Sequence, residues 1–313
     1  MTGTPSGAWV ERAGCPVCGA ASRGTLYRSP FSEPPLRDYL LAFYPAMPPA
    51  DLALLDGAEY VLEDCSGCGL VWQRFAPGDD LLARIYGAWT AGSGGLGRHD
   101  TVAYQRATVE EILLVLELVG RRPSEVSVLD FGMGWGRWPR IAASFGCQAS
   151  GVELDATAAE SARAHGVTVL ELEQLPSSAF DFVNSEQVFE HLIDPVAAVS
   201  ALAAALAPGG WLKIAVPDGS RIRELIREPD WSAPKGTQRS LNAVAPLEHL
   251  NCFGARSLDV LAERAGLRRA QVGFRDYYAS TVGIWPLRRL ARGIARPFAR
   301  RAHPGAAVFR HAT

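Results

Sequence analysis

The stretch Val128-Leu129-Asp130-Phe131-Gly132-Met133-Gly134-Trp135-Gly136-Arg137 constrains the fold more than any other part of the chain. An apolar run that ends in three glycines at alternate positions describes a buried strand turning sharply into a helix. Glycine lets the backbone enter left-handed conformations and lets a ligand approach the main chain. The helix N-terminus that follows adds partial positive charge. From Val126 onward, strand-like and helix-like segments alternate: Val126–Phe131, Trp135–Phe145, Ala149–Leu154, Ala156–His165, Val167–Glu171, Phe180–Ser185, Pro195–Leu206 and Trp211–Val216. Alternation at this spacing implies an α/β fold, a parallel sheet covered by helices on both faces. A periodic apolar helix from Thr101 to about Val119, stopped by Gly120 and Pro123, precedes it.

The next strand ends in Gly151-Val152-Glu153-Leu154-Asp155, which puts Glu153 about 20 residues beyond the glycines, where an acid grips ribose hydroxyls. The pattern lacks the last spacing of the dinucleotide fingerprint G-x-G-x-x-G. It also carries Asp130 before the first glycine, which suits an ammonium better than a pyrophosphate.

Four of the six cysteines form two pairs, Cys15-Pro16-Val17-Cys18 and Cys65-Ser66-Gly67-Cys68, each followed by glycine. Two such knuckles supply four soft ligands in the tetrahedral set zinc prefers, leaving no open position for catalysis. Structural zinc on Cys15, Cys18, Cys65 and Cys68 is therefore expected; two disulfides or free thiols are the alternative. Residues 1–76 read as a zinc-ribbon-like module, 77–100 (Pro77, Gly78, then a glycine-rich run at 92–97) as a linker, and 101–313 as the α/β domain. Cys147 and Cys252 read as plain buried thiols.

The chain has 31 basic and 33 acidic residues and a formal charge of −2, so nothing global draws it to nucleic acid or an anionic membrane. No apolar run reaches the length of a membrane span, and Met1–Ala13 lacks the pattern of a signal peptide, so a cytoplasmic location is expected.

The glycine-rich stretch resembles motif I of the class I S-adenosylmethionine-dependent methyltransferases, D-x-G-x-G-x-G. Phe180-Asp181-Phe182-Val183 resembles that family's fourth strand, Glu190-His191-Leu192 the helix after it, and Leu206-Ala207-Pro208-Gly209-Gly210 its turn into strand five. The resemblance covers roughly residues 100–285 and implies a Rossmann-like seven-stranded sheet. It implies that Gly132, Gly134 and Gly136 cradle the methionine part of S-adenosylmethionine, that Asp130 supports its amino group, and that Glu153 binds its ribose. Glu171 stands where the family often places an acid against adenine. Asn184, Ser185, Glu186 and Gln187 would wall the methionine side, and Tyr104 is either a cofactor contact or a core aromatic.

His249, in Pro246–Phe253, and His191 are the candidate catalytic bases or substrate contacts; either could instead be structural. Quinone-biosynthesis O-methyltransferases place a Glu three residues before the Glu-His pair to complete a magnesium site. Gln187 stands there in this chain, which argues against metal-dependent catalysis. The zinc module joined to this domain resembles that of sugar and natural-product methyltransferases and that of zinc-finger ribosomal RNA methyltransferases. The first 120 residues carry no basic-aromatic cluster, so RNA lacks its electrostatic footprint. The expected acceptor is a small molecule, a sugar or natural-product hydroxyl or an activated carbon, including a nucleotide- or lipid-linked sugar. The alternatives are an RNA methyltransferase and a non-catalytic cofactor-binding scaffold. Near 284–302 the arginines Arg288, Arg289, Arg292, Arg296, Arg300 and Arg301 fall largely opposite Leu287, Leu290, Ile294 and Phe298. Such a basic amphipathic helix is either an insertion before a last strand at Ala306–His311 or a peripheral membrane contact.

Overall fold

A computed structural model describes residues 9–89, 101–280 and 305–312. The basic segment near 284–302 and residues 90–100 of the expected linker lie outside the described residues. The chain forms β1 (Trp9–Glu11), β2 (Ser22–Pro30), α1 (Leu36–Phe43), β3 (Glu59–Cys65), β4 (Val71–Gln73), β5 (Phe75–Pro77) and α2 (Asp79–Arg84). Then come α3 (Val102–Val119), β6 (Ser127–Phe131), α4 (Arg137–Ser144), β7 (Gln148–Val152), α5 (Ala156–Ala164), β8 (Thr168–Leu170), β9 (Phe180–Glu186), α6 (Pro195–Ala205) and β10 (Leu206–Ala215). The remainder is α7 (Ile222–Leu225), β11 (Asn251–Cys252), α8 (Ala255–Arg264), β12 (Leu267–Arg269), α9 (Phe274–Ala279) and β13 (Ala306–His311). Among the described residues, no helix is long and apolar enough to cross a membrane.

The chain divides into two compact units. One comprises residues 96–188, 196–216 and 262–313 and holds a seven-stranded sheet in the order β12-β13-β10-β9-β6-β7-β8. The five strands from β10 to β8 run parallel, and β13 runs antiparallel to both β10 and β12. This is the Rossmann-like methyltransferase sheet that the sequence implies. Four of the five residues of β6 are buried, as expected for a central parallel strand covered on both faces. Thr101 caps α3 by accepting the Tyr104 amide, and Gly120, at φ +67°, ends it in the left-handed conformation. Ile112 and Val115 of α3 and Trp138 and Ala142 of α4 pack with Val128, Phe182 and Trp211 of the sheet. Strand order reverses between β6 and β9, so the loops leaving their carboxyl ends diverge and open a crevice.

The other unit comprises 1–95, 189–195 and 217–261. It holds an antiparallel sheet in the order β11-β4-β3-β2 and a separate β1–β5 pair. Two parts of it differ from the sequence reading. Residues 79–89, expected as linker, form α2 and a π-helical turn at Ile85–Trp89. Leu81, Ile85 and Trp89 recur every four residues, and all three are buried in this unit's core. The Trp89 indole also donates to buried Asp51 at 2.7 Å. Residues 217–261, expected within the α/β domain, instead give this core Ile222, Ile226, Trp231, Val244 and Leu247 beside Tyr44, Tyr60 and Leu62.

Candidate functional site

The crevice at β6 and β9 contains a cavity of about 350 Å³ lined by Tyr104, Asp130, Gly134, Trp135, Asn184 and Gln187 among others. The three glycines of the loop after β6 act differently. All have positive φ, +77° at Gly132, +52° at Gly134 and +71° at Gly136. A Cβ on Gly132 would meet Val188 Cγ2 at 2.3 Å, and one on Gly136 would meet Ala162 Cβ at 2.7 Å. These two are glycine because neighbouring chain packs against them. A Cβ on Gly134 would meet nothing within 4 Å, so its free face looks into open space. Gly132 and Gly134 line the cavity, whereas Gly136, expected as part of the cradle, serves the packing of the loop on α5.

Asp130, the penultimate residue of β6, is 4 % exposed, and its Oδ1 accepts from Asn184 Nδ2 at 2.7 Å. Burial pushes its carboxyl up to about 7, against the pull of the Asn184 amide and the more distant Lys213. Asn184 Oδ1 is itself buried without a hydrogen-bond partner. Gln187 holds φ +58°, unusual for a residue with a side chain, while its amide donates to Ala215 O at 2.7 Å. Glu153 departs from its expected surroundings. Its two oxygens accept the amides of Gly134 (2.7 Å) and Asp155 (2.9 Å), so the glycine loop itself satisfies the acid. Lone pairs remain on both oxygens for a further donor. Leu154, which the sequence reading passed over, is 93 % exposed. Glu171 is exposed at the end of β8 and does not line the cavity.

The two histidines lie together in the other unit. Their rings meet edge to face at 4.8 Å between centroids. His249 is buried at 6 % exposure, and the His191 side chain is 24 % exposed. Burial holds His249 down at about 3, helped by His191, and His191 down at about 4, so both are neutral at physiological pH. His249 Nδ1 is buried without a hydrogen-bond partner. Tyr86 Oη stands 3.1 Å from His191 Nδ1, and Glu190 Oε1 lies 3.8 Å from its Nε2. Tyr86 was missed because it falls in the stretch expected as linker; the four-residue apolar spacing around it was the available signal. Glu190, His191 and His249 also offer three possible metal-ligand atoms within 4.8 Å of one another.

In the same unit the four cysteines converge. Cys15 and Cys18 follow β1, Cys65 ends β3, and Cys68 lies in the turn to β4. All four are free thiols with Sγ atoms within 4.8 Å of one another. Cys15 and Cys68 stand 3.6 Å apart and Cys18 and Cys65 3.3 Å, far beyond a disulfide bond of about 2.05 Å. The amides of Gly67 and Cys68 both point at Cys65 Sγ from 3.3 Å.

A family model described as "Methyltransferase domain" matches residues 103–272. The ubiquinone biosynthesis O-methyltransferase of Bordetella avium is 34 % identical over 106 residues, covering 30 % of this chain and 42 % of that protein. The protein of the same name from Idiomarina loihiensis is 29 % identical over 152 residues, 43 % of this chain and 62 % of its own length. The chain thus spans less than two thirds of either relative. Among solved structures, an S-adenosylmethionine dependent methyltransferase from Mesorhizobium loti aligns with a TM-score of 0.41 at 18 % identity, over 64 % of this chain and 96 % of that one.

Proposed function

Since the chain belongs to the methyltransferase-domain family, we propose that it is a class I S-adenosylmethionine-dependent methyltransferase and that it methylates a small-molecule acceptor, most simply a hydroxyl of a sugar or natural product, with the histidine pair removing the acceptor's proton. The residues around the β6–β9 cavity fit the cofactor. Among the described residues buried Asp130 forms no ion pair, so an ammonium beside it would be its first close counter-charge; Asn184 Oδ1 lacks a donor, and Gly134 leaves room on the ligand side. Asp130 and Asn184 would hold the amino group, Gly132, Gly134 and Gln187 would shape the methionine side, and the spare lone pairs of Glu153 would take ribose hydroxyls. When bound, S-adenosylmethionine supplies a methyl group on a sulfonium whose sulfur departs as a neutral thioether.

The observation that carries the acid–base assignment is the neutral, edge-to-face His191–His249 pair with Tyr86 on His191 Nδ1. A sulfonium methyl is already activated, so the protein's tasks are placement and proton removal. Tyr86 and Glu190 fix the His191 ring, and His191 takes the acceptor proton directly or through the Tyr86 hydroxyl. The relatives' name, ubiquinone biosynthesis O-methyltransferase, supports a small hydroxylated acceptor over RNA. A nucleotide- or lipid-linked sugar stays within this class, and a non-catalytic scaffold would leave the paired neutral imidazoles without a task.

The four cysteines would hold structural zinc. A tetrahedron with arms of about 2.3 Å has edges of about 3.8 Å, close to the spacings of the Sγ atoms. A second reading of the histidine cluster, favoured by the grouping with Glu190, puts a divalent cation there. Turnover that depends on added magnesium or manganese would select it.

The test is to incubate the protein with methyl-labelled cofactor and an extract of the source cells, then sort label into small-molecule, lipid, RNA and protein fractions. Label in small molecules, lost in His191→Gln and His249→Gln, is expected. Label in RNA would overturn the acceptor class, and label in lipid would point to a lipid-linked acceptor. No label in any fraction would leave a cofactor-binding scaffold.

A further inference from the structure

Both histidine-bearing segments are held by one buried polar hub formed by Arg12, Gln73 and Asn251. Gln73 and Asn251 are fully buried, and Arg12 is 7 % exposed. The Arg12 guanidinium donates to Gln73 O (2.7 and 3.1 Å), Leu250 O (2.7 Å) and Asn251 Oδ1 (2.8 Å). The Gln73 side chain donates to Ala245 O (3.1 Å) and His249 O (3.0 Å). Asn251 then uses its amide nitrogen twice, on Phe189 O (3.0 Å) and Leu192 O (2.7 Å). The chain on either side of His191 is thereby fastened by one side chain, and the main chain at His249 by two others.

Arg12 is unusual in a second respect. Among the described residues it forms no ion pair, and every acceptor around its fork is a carbonyl oxygen. A buried cation without a carboxylate is costly unless another negative charge answers it. Here four hydrogen bonds to three carbonyl oxygens answer the charge instead, so Arg12 depends on the hub keeping its shape.

We infer that Arg12, Gln73 and Asn251 are positioning residues that clamp the His191 and His249 segments to each other, so that this hub sets the spacing of the two imidazoles. The inference deepens the proposed acid–base role of that pair. An arginine suits the position because its planar fork reaches three acceptors at once, which an ammonium cannot do in the same geometry.

The two imidazoles report on the clamp directly. The groups facing them are Tyr86, Glu190, Glu248, Lys235 and each other. NMR titration of the six histidines, with His191 and His249 assigned through their Gln variants, is run on the parent, Asn251→Ala, Asn251→Asp and Arg12→Lys. Asn251→Asp keeps an acceptor for Arg12 but removes both donors to the His191 segment. In the Ala and Asp variants His191 is expected to climb from about 4 toward the ordinary 6.5 as its segment loosens and hydrates. In Arg12→Lys, His249 should rise from about 3. A new carboxylate acting only through its charge would move His191 in the Asp variant and not in the Ala variant, which would overturn the clamp. Asn251→Ser, which keeps one donor, serves if the Ala variant does not fold, and an intermediate rise is expected there.

On the intact protein, Asn251→Ala should speed amide exchange at 189–192, Arg12→Lys should speed it at 245–252, and both should leave 126–186 unchanged. Exchange at those segments that matches the parent in folded variants would overturn the clamp. Failure of the acid–base reading shows elsewhere, as label transfer that survives His191→Gln and His249→Gln while the titrations still respond.

Discussion

Asp130 has a carboxyl held near 7 because it is buried beside a single amide donor, and that sets how the fold and the cofactor respond to pH. The folded value lies above the ordinary 3.8, so this group favours the fold at acid pH, and its contribution is lost as pH rises through about 7. An ammonium beside it has the opposite preference, since it pairs with the carboxylate. Affinity for S-adenosylmethionine should therefore rise from pH 5.5 to 7 and fall again as the cofactor's own amino group, about 7.7–8.0 when unperturbed, loses its proton. Asp130→Asn should flatten the rising limb and weaken binding by the roughly 1.5–3 kcal/mol of a charge-assisted hydrogen bond. Isothermal calorimetry across that range checks both; an unchanged profile in the variant would remove Asp130 from the site. The histidine pair has the reverse sign. His191 and His249 lie below the ordinary 6.5, so their contribution to stability is present above 6.5 and is lost as pH falls toward 4 and 3. Thermal midpoints should drop between pH 6.5 and 4, and His191→Gln with His249→Gln should reduce the drop.

At the scale of elements, the β6–loop–α4 joint depends on Gly136 more than its place in a glycine motif suggests. Its φ of +71° and the 2.7 Å from its virtual Cβ to Ala162 together predict that Gly136→Ala destabilises the protein by about 2–5 kcal/mol, about 1–2 from the left-handed conformation and about 1–3 from overpacking. Adding Ala162→Gly should restore part of the loss by opening the contact, less the cost of a glycine inside α5. Chemical denaturation of the two variants decides; no recovery in the double variant would mean that φ alone fixes the glycine. This joint also marks how far the sequence could be read. The alternation of short apolar runs with helical apolar periods located β6 to β10 and α3 to α6, since a parallel strand covered on both faces is apolar throughout and a helix packed on it repeats its apolar residues every three to four. The glycine motif located the cavity but could not separate a glycine that faces a ligand from one that faces Ala162. Glu153 illustrates the same limit, because its spacing marks an acid that needs donors and cannot say that Gly134 and Asp155 supply two. Residues 79–89 were hidden by Pro77, Gly78 and the glycines beyond, although Leu81, Ile85 and Trp89 carry a helical period.

For the whole molecule, the chain passes five times between its two units, so the units are not successive stretches of sequence. That arrangement was not legible, since 217–261 contains no long periodic element and its strand β11 has only two residues. β11 exists because β4 offers it an edge, with Asn251 paired to Trp72 and Cys252 to Val71. The apolar residues of 217–261 pack on Tyr44, Tyr60 and Leu62, all from the first 95 residues. A fragment starting at Thr101, the boundary that composition suggests, would strip Ile222, Ile226, Trp231, Val244 and Leu247 of these partners together. Each large apolar side chain returned to water costs about 1.5–3 kcal/mol, and five such losses are comparable to the 5–15 kcal/mol that stabilises a typical domain. The 101–313 fragment should therefore bind a hydrophobic dye, lack dispersed amide signals from 217–261 and aggregate on concentration, whereas the full chain should do none of these. Dispersed signals from that segment in the isolated fragment would show that 217–261 folds without the first unit's core and would restore the boundary at 101.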